Sequence, residues 1–357
     1  MKYLFLVQGE GRGHMTQAIS LFALLKSNGH EIVGVLVGKN GRRNIPDYIF
    51  RHFDGDITTY DSPNFLFNKN RKGIRIIESF IYNLFRLPQY IRSIKKIRAI
   101  IKDKKPDIVV NFYDLIGGLY NLCFPHTKSY CIGHQFLLTH PDFPCPKDRK
   151  LEKVLLKWHN FISSYKSHKR LALSFRPMKA FEHGRTIVVP PLLRKEILAI
   201  NDQNIDSLGY LHGYILNDGF ASEIIEWHQE NNEMTAHIFW DKKEVSSVIN
   251  DNLMFHQLDD QLFLHYLKNC KFFAGTAGFE SLCEAMYLGK PFLCVPSANH
   301  YEQYCNALDA TNNKAGIWDY KFNINRLIAF SQSYQFDHKS FRSWVNQASH
   351  QIMDHLV

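Results

Sequence analysis

The sequence predicts an α/β protein with two parallel-sheet domains. Short apolar runs alternate with segments of helical periodicity along most of the chain, which is typical of strands joined by helices in a parallel sheet. The 357 residues exceed one ordinary domain and fit two of about 150 to 200 residues. A glycine-rich loop follows an apolar run near each end of the chain, at Gly9 and at Gly275. Such loops lie at the carboxyl ends of strands, where ligands of parallel sheets bind.

Composition narrows the class of protein further. Hydrophobic residues make up 45% and aromatic residues 14% of the chain, as expected for a globular protein. The seven cysteines form an odd set without C-x-x-C spacing, which suits free thiols in a reducing cytosol and predicts neither a disulfide nor a zinc site. The apolar start is too short for a signal peptide, and no apolar run approaches the roughly 18 residues of a membrane span. We therefore expect a cytoplasmic protein.

The first strand, Lys2–Val7, leads into the loop Gly9–His14 and then into a helix. A dinucleotide fingerprint would need glycine where His14 stands, and strand Glu31–Val37 lacks a following acidic residue to hold a ribose. A dinucleotide site is therefore not expected. A histidine that follows three glycines at a strand end is instead a candidate catalytic group, the alternative being an ordinary core or surface histidine.

One basic segment carries the charge excess. Lys69–Lys105 contains twelve basic and two acidic residues, and apolar residues recur at near-helical spacing on both sides of Pro88. These features predict two amphipathic helices separated at the proline. Their basic face is either a solvated outer surface or a surface for peripheral contact with an anionic membrane. In the second case Phe80, Phe85 and Tyr90 would insert shallowly if they point outwards.

The second half begins a new series of strands and helices. The predicted boundaries are a first domain over 1–192, a linker over 193–206, a second domain over 207–340 and a final helix over 341–357. The second domain is expected to open with strand Leu208–His212, and a loop that starts at Gly213 is expected to lie at the cleft between the domains. Asp259 is a predicted N-cap for the helix that follows it.

The segment Lys271–Pro296 predicts strand, glycine loop, helix and strand. The loop leaves backbone N–H groups at a helix start, where the dipole favours an anion such as a diphosphate. These groups belong to Gly275, Thr276, Ala277 and Gly278. Glu280, Ser281 and Glu284 share the adjacent helix face, and a carboxylate there could accept hydrogen bonds from a ribose diol. A solvated acidic face is the alternative.

A resemblance covers this segment. The stretch GTAGFESLCEAMYLGKPFLCVP followed by EQYCNA resembles the donor-binding region of inverting glycosyltransferases of the GT-B fold. It is most similar to the lipid-linked N-acetylglucosaminyltransferase of peptidoglycan synthesis and to the UDP-glucuronosyltransferases. The resemblance implies two Rossmann-like domains that face a cleft, with a C-terminal helix crossing back to the first domain. It also implies a UDP-sugar as donor substrate, with no cofactor and no metal.

The resemblance assigns roles to individual donor-side residues. It implies that Glu284 holds the donor ribose and that Gly278 and Ser281 hold the diphosphate. Glu302 and Gln303 would hold the donor sugar, although the related enzymes usually carry Gln-Gln or Asp-Gln there. Leu258 would pair its backbone with the uracil edge.

The loop Gly9–His14 resembles the first loop of the same enzymes, where the histidine is the base, so that role passes to His14. Asp114 would orient His14 by accepting its other N–H, as in a catalytic triad; a helix N-cap is the alternative. His134 is the reserve base. Asp54–Asp56 matches the D-x-D metal motif of the GT-A fold, but Asp-Gly before a strand predicts a turn.

The sequence therefore predicts a metal-independent, inverting hexosyltransferase. Its partners would be a nucleotide-sugar and an acceptor that is a glycan of the cell envelope, a lipid or a small molecule. One alternative is a nucleotide-sugar epimerase or hydrolase on the same fold. The other is a basic, non-enzymatic binding protein, although the confined charge does not predict binding to nucleic acid.

Overall fold

The computed structural model describes residues 1–9, 11–39, 47–53, 57–69, 72–124, 128–200, 208–216, 218–240 and 247–357. The predicted turn at Asp54–Asp56 and residues 201–206 of the predicted linker lie outside these ranges. Within them, the chain forms two seven-stranded sheets, each flanked by helices. The α/β class and the two Rossmann-like domains are confirmed.

The first sheet has the strand order β3-β2-β1-β4-β5-β6-β7, and all neighbouring strands run parallel. Its strands are β1 Lys2–Gln8, β2 Glu31–Lys39, β3 Ile57–Asp61, β4 Ile108–Phe112, β5 Lys128–Ile132, β6 Lys169–Leu173 and β7 Thr186–Val189. All five residues of β4 are buried. The continuous apolar runs of the sequence are explained by this burial, because helices cover both faces of a parallel sheet.

The second sheet has the order β10-β11-β9-β8-β12-β13-β14, in which only β10 runs antiparallel to its neighbour among the described strands. Its strands are β8 Leu211–Ile215, β9 Ala236–Trp240, β10 Ser247–Asn250, β11 Leu253–Gln257, β12 Phe272–Gly275, β13 Phe292–Cys294 and β14 Gly316–Trp318. Parallel strands β8 and β12 lie at its centre, so the loops that follow their carboxyl ends face the cleft.

The described helices connect and cover these strands. They are α1 Arg12–Ser27, α2 Asp47–His52, α3 Ile76–Phe85, α4 Leu87–Lys104, α5 Leu115–Cys123, α6 Lys150–Ser163, α7 Lys195–Leu198, α8 Ala221–Glu230, α9 Asp260–Asn269, α10 Phe279–Tyr287, α11 Tyr301–Asn312, α12 Ile324–Gln332, α13 His338–Asn346 and α14 Ala348–Leu356. Short 3-10 helices occupy His134–Thr139 and Asp218–Phe220. No helix in the described ranges is both long and apolar enough to cross a membrane.

The C-terminal segment crosses back to the first domain, as expected. The indole N–H of Trp344 on α13 donates a hydrogen bond to the Ser174 carbonyl at 2.9 Å. The Tyr3 hydroxyl of β1 donates to the Leu356 carbonyl at 3.3 Å. The segment is two helices rather than the single predicted one, because the first ends at Asn346 and the second begins at Ala348.

Three other local predictions need correction. The two amphipathic helices α3 and α4 separate at Arg86, whereas Pro88 lies in the first turn of α4, where a missing N–H leaves no helical hydrogen bond unmade. Helix α1 begins at Arg12, so His14 lies in its first turn rather than in the loop. Gly213 lies in the middle of β8, not in a loop. A Cβ on Gly213 would lie 2.5 Å from the Ile238 Cδ1 atom, so close packing between strands explains this glycine.

Candidate active site

The cleft between the two sheets contains a cavity of about 620 Å³. Both domains line it: His14, Gln17 and Gln135 come from the first domain, and Thr276, Gly278, Glu280, Ser281, Glu284, Glu302 and Gln303 come from the second. The strands that end here are the central ones of each sheet, β1 and β12 among them. One cavity therefore brings together most of the residues that the sequence proposed.

His14 lies buried at the centre of this cavity, in the first turn of α1. Its Nδ1 atom lies 3.3 Å from Gln17 Oε1, and its Nε2 atom lies 3.2 Å from Gln135 Nε2. The imidazole also stacks on Tyr113, with 5.7 Å between ring centres. Because an amide oxygen only accepts hydrogen bonds and an amide nitrogen only donates them, this arrangement corresponds to a neutral ring with its proton on Nδ1.

The protonation state of His14 follows from its surroundings. Burial lowers the pKa of His14 to about 4, although the hydrogen bond with Gln17 opposes part of that change. The ring is therefore neutral at physiological pH, and its Nε2 lone pair accepts the Gln135 N–H. An acceptor hydroxyl would have to replace that amide before Nε2 could take its proton. A general base must be in this unprotonated form before it reacts.

Each glutamine beside His14 is held by a glutamate of the opposite domain. Gln17 Nε2 donates to Glu280 Oε1 at 2.6 Å, and Gln135 Nε2 donates to Glu302 Oε1 at 3.0 Å. Burial raises the pKa of Glu280 to about 8 and that of Glu302 to about 7. His14 is thus enclosed by two amides whose orientation depends on the second domain.

The predicted contact between Asp114 and His14 is wrong. One carboxylate oxygen of Asp114 caps α5 by accepting from the N–H groups of Ile116 at 2.8 Å and Gly117 at 3.3 Å. The other accepts from the Ser62 hydroxyl at 2.7 Å. The alternative of a helix N-cap is therefore what the structure contains, and Gln17 takes the position beside His14 Nδ1.

His134, the reserve base, is held differently. Its Nδ1 atom donates to the Leu173 carbonyl at 2.7 Å, and its ring stacks on Phe279 with 3.9 Å between centres. Burial lowers the pKa of His134 to about 4. Both histidines line the cavity and stack on an aromatic side chain. They differ at Nδ1, which is held by a backbone carbonyl in His134 and faces the Gln17 amide in His14.

The segment of the predicted anion site has the expected order of strand, loop and helix. Two of its predicted N–H groups are used within the protein, however, because Thr276 donates to the Tyr214 carbonyl at 3.0 Å and Gly278 to the Thr276 carbonyl at 2.6 Å. Strand β12 ends at Gly275, and α10 begins at Phe279 with Gly278 as its N-cap residue. Thr276 is buried and lines the cavity. Ser281 donates its hydroxyl to the Gly278 carbonyl at 3.2 Å. The first N–H groups of α10 therefore point into the cleft, where the helix dipole favours negative charge.

Glu284, the predicted ribose partner, is paired with an arginine. Arg194 donates from Nε to one carboxylate oxygen at 2.6 Å and from a terminal nitrogen to the other at 3.0 Å. The same guanidinium forms a short ion pair with Asp260. Burial raises the pKa of Glu284, and the arginine opposes that change. The charge of Arg194 thus favours the ionised carboxylate that a ribose diol would need.

The remaining predicted donor residues are placed as follows. Leu258 lines the cavity beside the start of α9, and Asp259 caps that helix as predicted, accepting from the Leu262 N–H at 2.8 Å. Gln303 also faces the cavity, although its side-chain oxygen accepts from the Ser297 N–H at 2.7 Å. Gly213, corrected to a strand position, is not among the lining residues.

Sequence reasoning missed Gln17 and Arg194. A signal existed for Gln17, because it lies three residues after His14 and residues at that spacing on a helix are neighbours. Arg194 lies between β7 and α7, and its partners are 66 and 90 residues away in sequence. No local pattern could have indicated that contact.

The first-domain end of the cavity is apolar and open. Phe80 and Leu84 of α3 and Leu155 of α6 line it, and these helices expose large apolar side chains. The exposed residues are Ile77, Phe80, Ile81, Leu84 and Phe85 on α3, and Leu151, Val154, Leu155, Trp158 and Phe161 on α6. Phe80 is 71% and Phe85 80% exposed, whereas Tyr90 is buried. Two of the three aromatic residues proposed for insertion therefore point outwards.

Comparison with known proteins gives a consistent result. The model of the family described as glycosyl transferase family 1 matches residues 1–333. No curated protein matches the chain. Among solved structures, the glycotransferase of kitacinnamycin has a TM-score of 0.64 at 13% identity, covering 100% of this chain and 99% of that one.

Two other solved structures were determined with ligands. Spinosyn rhamnosyltransferase SpnG complexed with thymidine diphosphate has a TM-score of 0.56 at 15% identity, covering 100% of this chain and 96% of that one. UGT2 of Phytolacca americana complexed with UDP-2fluoro-glucose and pterostilbene has a TM-score of 0.60 at 12% identity, covering 98% and 94%. These likenesses show the GT-B fold. Because the family model spans nearly the whole chain, this protein belongs to glycosyl transferase family 1 and is a glycosyltransferase.

Proposed function

We propose that this glycosyltransferase moves a sugar from a UDP-sugar to an acceptor hydroxyl with inversion, using His14 as the general base. The observation that carries this proposal is a single cavity that contains both the neutral His14 imidazole and the N-terminus of α10. The two groups come from opposite domains, as a base and a leaving-group site must for displacement on opposite sides of one carbon. Two structural neighbours are complexes with thymidine diphosphate and with UDP-2fluoro-glucose, which supports a nucleotide-sugar as the donor.

The proposed reaction is one displacement. The acceptor oxygen bonds to the anomeric carbon while the bond from that carbon to the diphosphate breaks, and Nε2 of His14 takes the acceptor proton. The N–H groups in the first turn of α10, which begins at Phe279, stabilise the charge on the departing diphosphate. In this proposal the helix dipole serves where GT-A enzymes use a divalent cation, so the reaction needs no metal.

The acceptor is proposed to be a lipid or lipid-linked molecule at an anionic membrane surface. The exposed apolar faces of α3 and α6 flank the cavity mouth, and apolar patches of this kind typically mark interaction sites. Helix α4 adds exposed cations to the same domain: Lys95 and Lys102 share one helix face with the exposed Ile91, and Arg92 lies beside that face. Apolar side chains next to cations suit shallow insertion among anionic headgroups.

A transfer assay tests the function. Thermal shift would first select a donor from a panel of UDP- and TDP-sugars. The sugar-labelled form of that donor is then incubated with a membrane lipid extract. We expect label in a larger conjugate. Label in a free sugar would instead indicate a hydrolase, and an epimer still attached to nucleotide would indicate an epimerase.

The base is tested by His14→Ala. We expect turnover to fall by about 10²- to 10⁴-fold, the usual contribution of base catalysis, while UDP binding measured by calorimetry is retained. His350→Ala is the matched control, because that histidine is 81% exposed on α14, and it should keep full turnover. An active His14→Ala enzyme would overturn the assignment.

A further inference from the structure

Glu280 makes a contact that the donor site does not explain. It lies on the cleft-facing side of α10, one turn before Glu284, yet its Oε1 atom accepts a hydrogen bond from Gln17 of the other domain at 2.6 Å. Its Oε2 atom is buried without a hydrogen-bond partner among the described residues. Arg194, the cation nearby, forms its bidentate pair with Glu284 instead.

The backbone around this contact is closely packed. A Cβ added to Gly13, the residue before His14, would lie 3.1 Å from the Glu280 Cγ atom. That distance is tighter than ordinary van der Waals contact, so a side chain at position 13 would push Glu280 and the start of α1 apart. Glycine at this position therefore lets the two domains meet directly beside His14.

The contact fixes the orientation of the Gln17 amide. Because Glu280 Oε1 accepts the N–H of Gln17, the amide oxygen turns towards His14 and lies 3.3 Å from Nδ1. An amide oxygen cannot donate, so the imidazole proton must lie on Nδ1, which leaves Nε2 unprotonated. If the amide were reversed, its N–H group would face Nδ1 while the Gln135 N–H faces Nε2. The ring proton would then have no acceptor on either side, and the tautomer would no longer be fixed.

We propose that Glu280 is a positioning residue for the transfer reaction, which acts through Gln17 to hold His14 in its reactive tautomer. This inference rests on the proposed role of His14 as base. When Nε2 takes the acceptor proton, the Nδ1–H of the resulting imidazolium still donates its hydrogen bond to the Gln17 oxygen. Glu280 takes no proton in this step. Glu280, from the second domain, therefore takes the orienting role that the sequence had assigned to Asp114 of the first domain.

One consequence is that the base is assembled only when the domains are closed. Glu280 and Glu302 belong to α10 and α11 of the second domain, whereas both glutamines belong to the first. Opening the cleft would break both contacts and leave the two amides unconstrained.

Substitutions at both positions test the proposal, with the donor and lipid acceptor selected by the transfer assay. We expect Glu280→Leu and Gln17→Leu each to lower kcat by about 10- to 100-fold, the range for losing one buried hydrogen bond. The KM for the donor should stay within about twofold of the wild-type value, since neither side chain is assigned to the nucleotide. Glu280→Gln should recover most of kcat, because its amide oxygen accepts the same hydrogen bond.

The exchange variant Gln17→Glu with Glu280→Gln tests the role of these residues through the pH profile of kcat. A purely structural role for the two residues would leave that profile unchanged. A carboxylate at position 17 would accept the Nδ1–H of His14 and favour the imidazolium, so it should raise the pKa of His14. The acid limb of the pH profile of kcat should therefore shift to higher pH. An unshifted acid limb would overturn the proposal.

A double substitution separates this inference from the proposed function. Adding Glu280→Leu to His14→Ala should lower the residual rate no further, because Glu280 acts through His14. An equal loss in both backgrounds would mean that Glu280 acts on the donor, and the inference would fail. If His14→Ala kept full turnover, the proposed base would fail instead. If only Glu280→Leu kept full turnover, the base would stand without this positioning residue.

Discussion

The two walls of the cleft differ in the polarity and exposure of their side chains. On the second-domain wall, the carboxyl groups of Glu280 and Glu284 are buried and that of Glu302 is half-buried. Each has a specific hydrogen-bonding partner. On the first-domain rim, α3 and α6 turn large apolar side chains such as Phe85 and Trp158 towards solvent. Fixed polar groups suit one defined ligand, whereas an open apolar rim suits a variable or membrane-bound one. Under the proposed function, the donor is therefore recognised by fixed polar contacts and the acceptor by an exposed apolar surface.

The largest expected effect tests the first-domain wall, through its binding to anionic membranes. Replacing Arg92, Lys95 and Lys102 together by Gln should weaken binding to anionic vesicles by about 3 kcal/mol, since each such charge near the surface contributes about 1 kcal/mol. Sedimentation with vesicles of phosphatidylserine and phosphatidylcholine measures this. Replacing Lys271, Lys321 and Lys339 of the second domain is the matched control. If both triple variants sediment like the wild type, the first-domain wall does not face a membrane.

The donor wall is tested by Glu284→Ala. We expect UDP binding to weaken by about 1.5 to 3 kcal/mol, the usual loss for hydrogen bonds to a charged acceptor. Asp260→Asn is the control, because it removes the other partner of Arg194 but leaves Glu284 in place. It should have the smaller effect in calorimetry. Unchanged UDP affinity in Glu284→Ala would refute the ribose role and leave Glu284 as a partner of Arg194 alone.

The pH dependence of kcat/KM tests whether the proposed base, His14, is buried. A histidine of ordinary pKa would be mostly protonated at pH 5 and would lose about 30-fold in its neutral form. Since burial lowers the pKa of His14 to about 4, the neutral form persists and kcat/KM should stay nearly level from pH 8 to pH 5. A fall centred near pH 6.5 would show that the base is solvated, or that another histidine serves.

The smallest effect concerns stability. Burial raises the pKa of Glu280 from its ordinary value of 4.5 to about 8, so the folded protein keeps a proton that the unfolded chain releases. This contribution to stability is complete below pH 4.5 and is lost as pH rises through 8. The free energy of unfolding of the wild type should therefore fall between pH 5 and pH 9. In Glu280→Gln, whose amide does not titrate, it should fall by at least about 1.4 kcal/mol less, the equivalent of one pKa unit. Urea unfolding at both pH values measures the difference, and equal changes in both proteins would contradict it.

Much of the fold could be predicted because buried strands and helices require apolar residues at regular spacing along the chain. The apolar runs at β1, β4 and β12 predicted strands, and the glycine loop before α10 predicted the anion site. Predictions failed where one local pattern fits two environments. Gly213 resembled a loop residue but packs under Ile238 in a strand, and Asp114 fitted both a cap and a catalytic partner until Ser62 and the α5 backbone were found beside it.

The sequence by itself determined the order of strands and helices, the position of His14 in the segment that follows β1 and the position of Glu284 on a helix face. These depend on residues close together in the chain, whose periodicity and turn preferences act locally. Only the tertiary structure decided which groups face each other across the cleft: Gln17 with Glu280, and Arg194 with Glu284. It also decided that Phe80 and Phe85 point outwards, because helical spacing defines an apolar face but not the neighbour that the face meets.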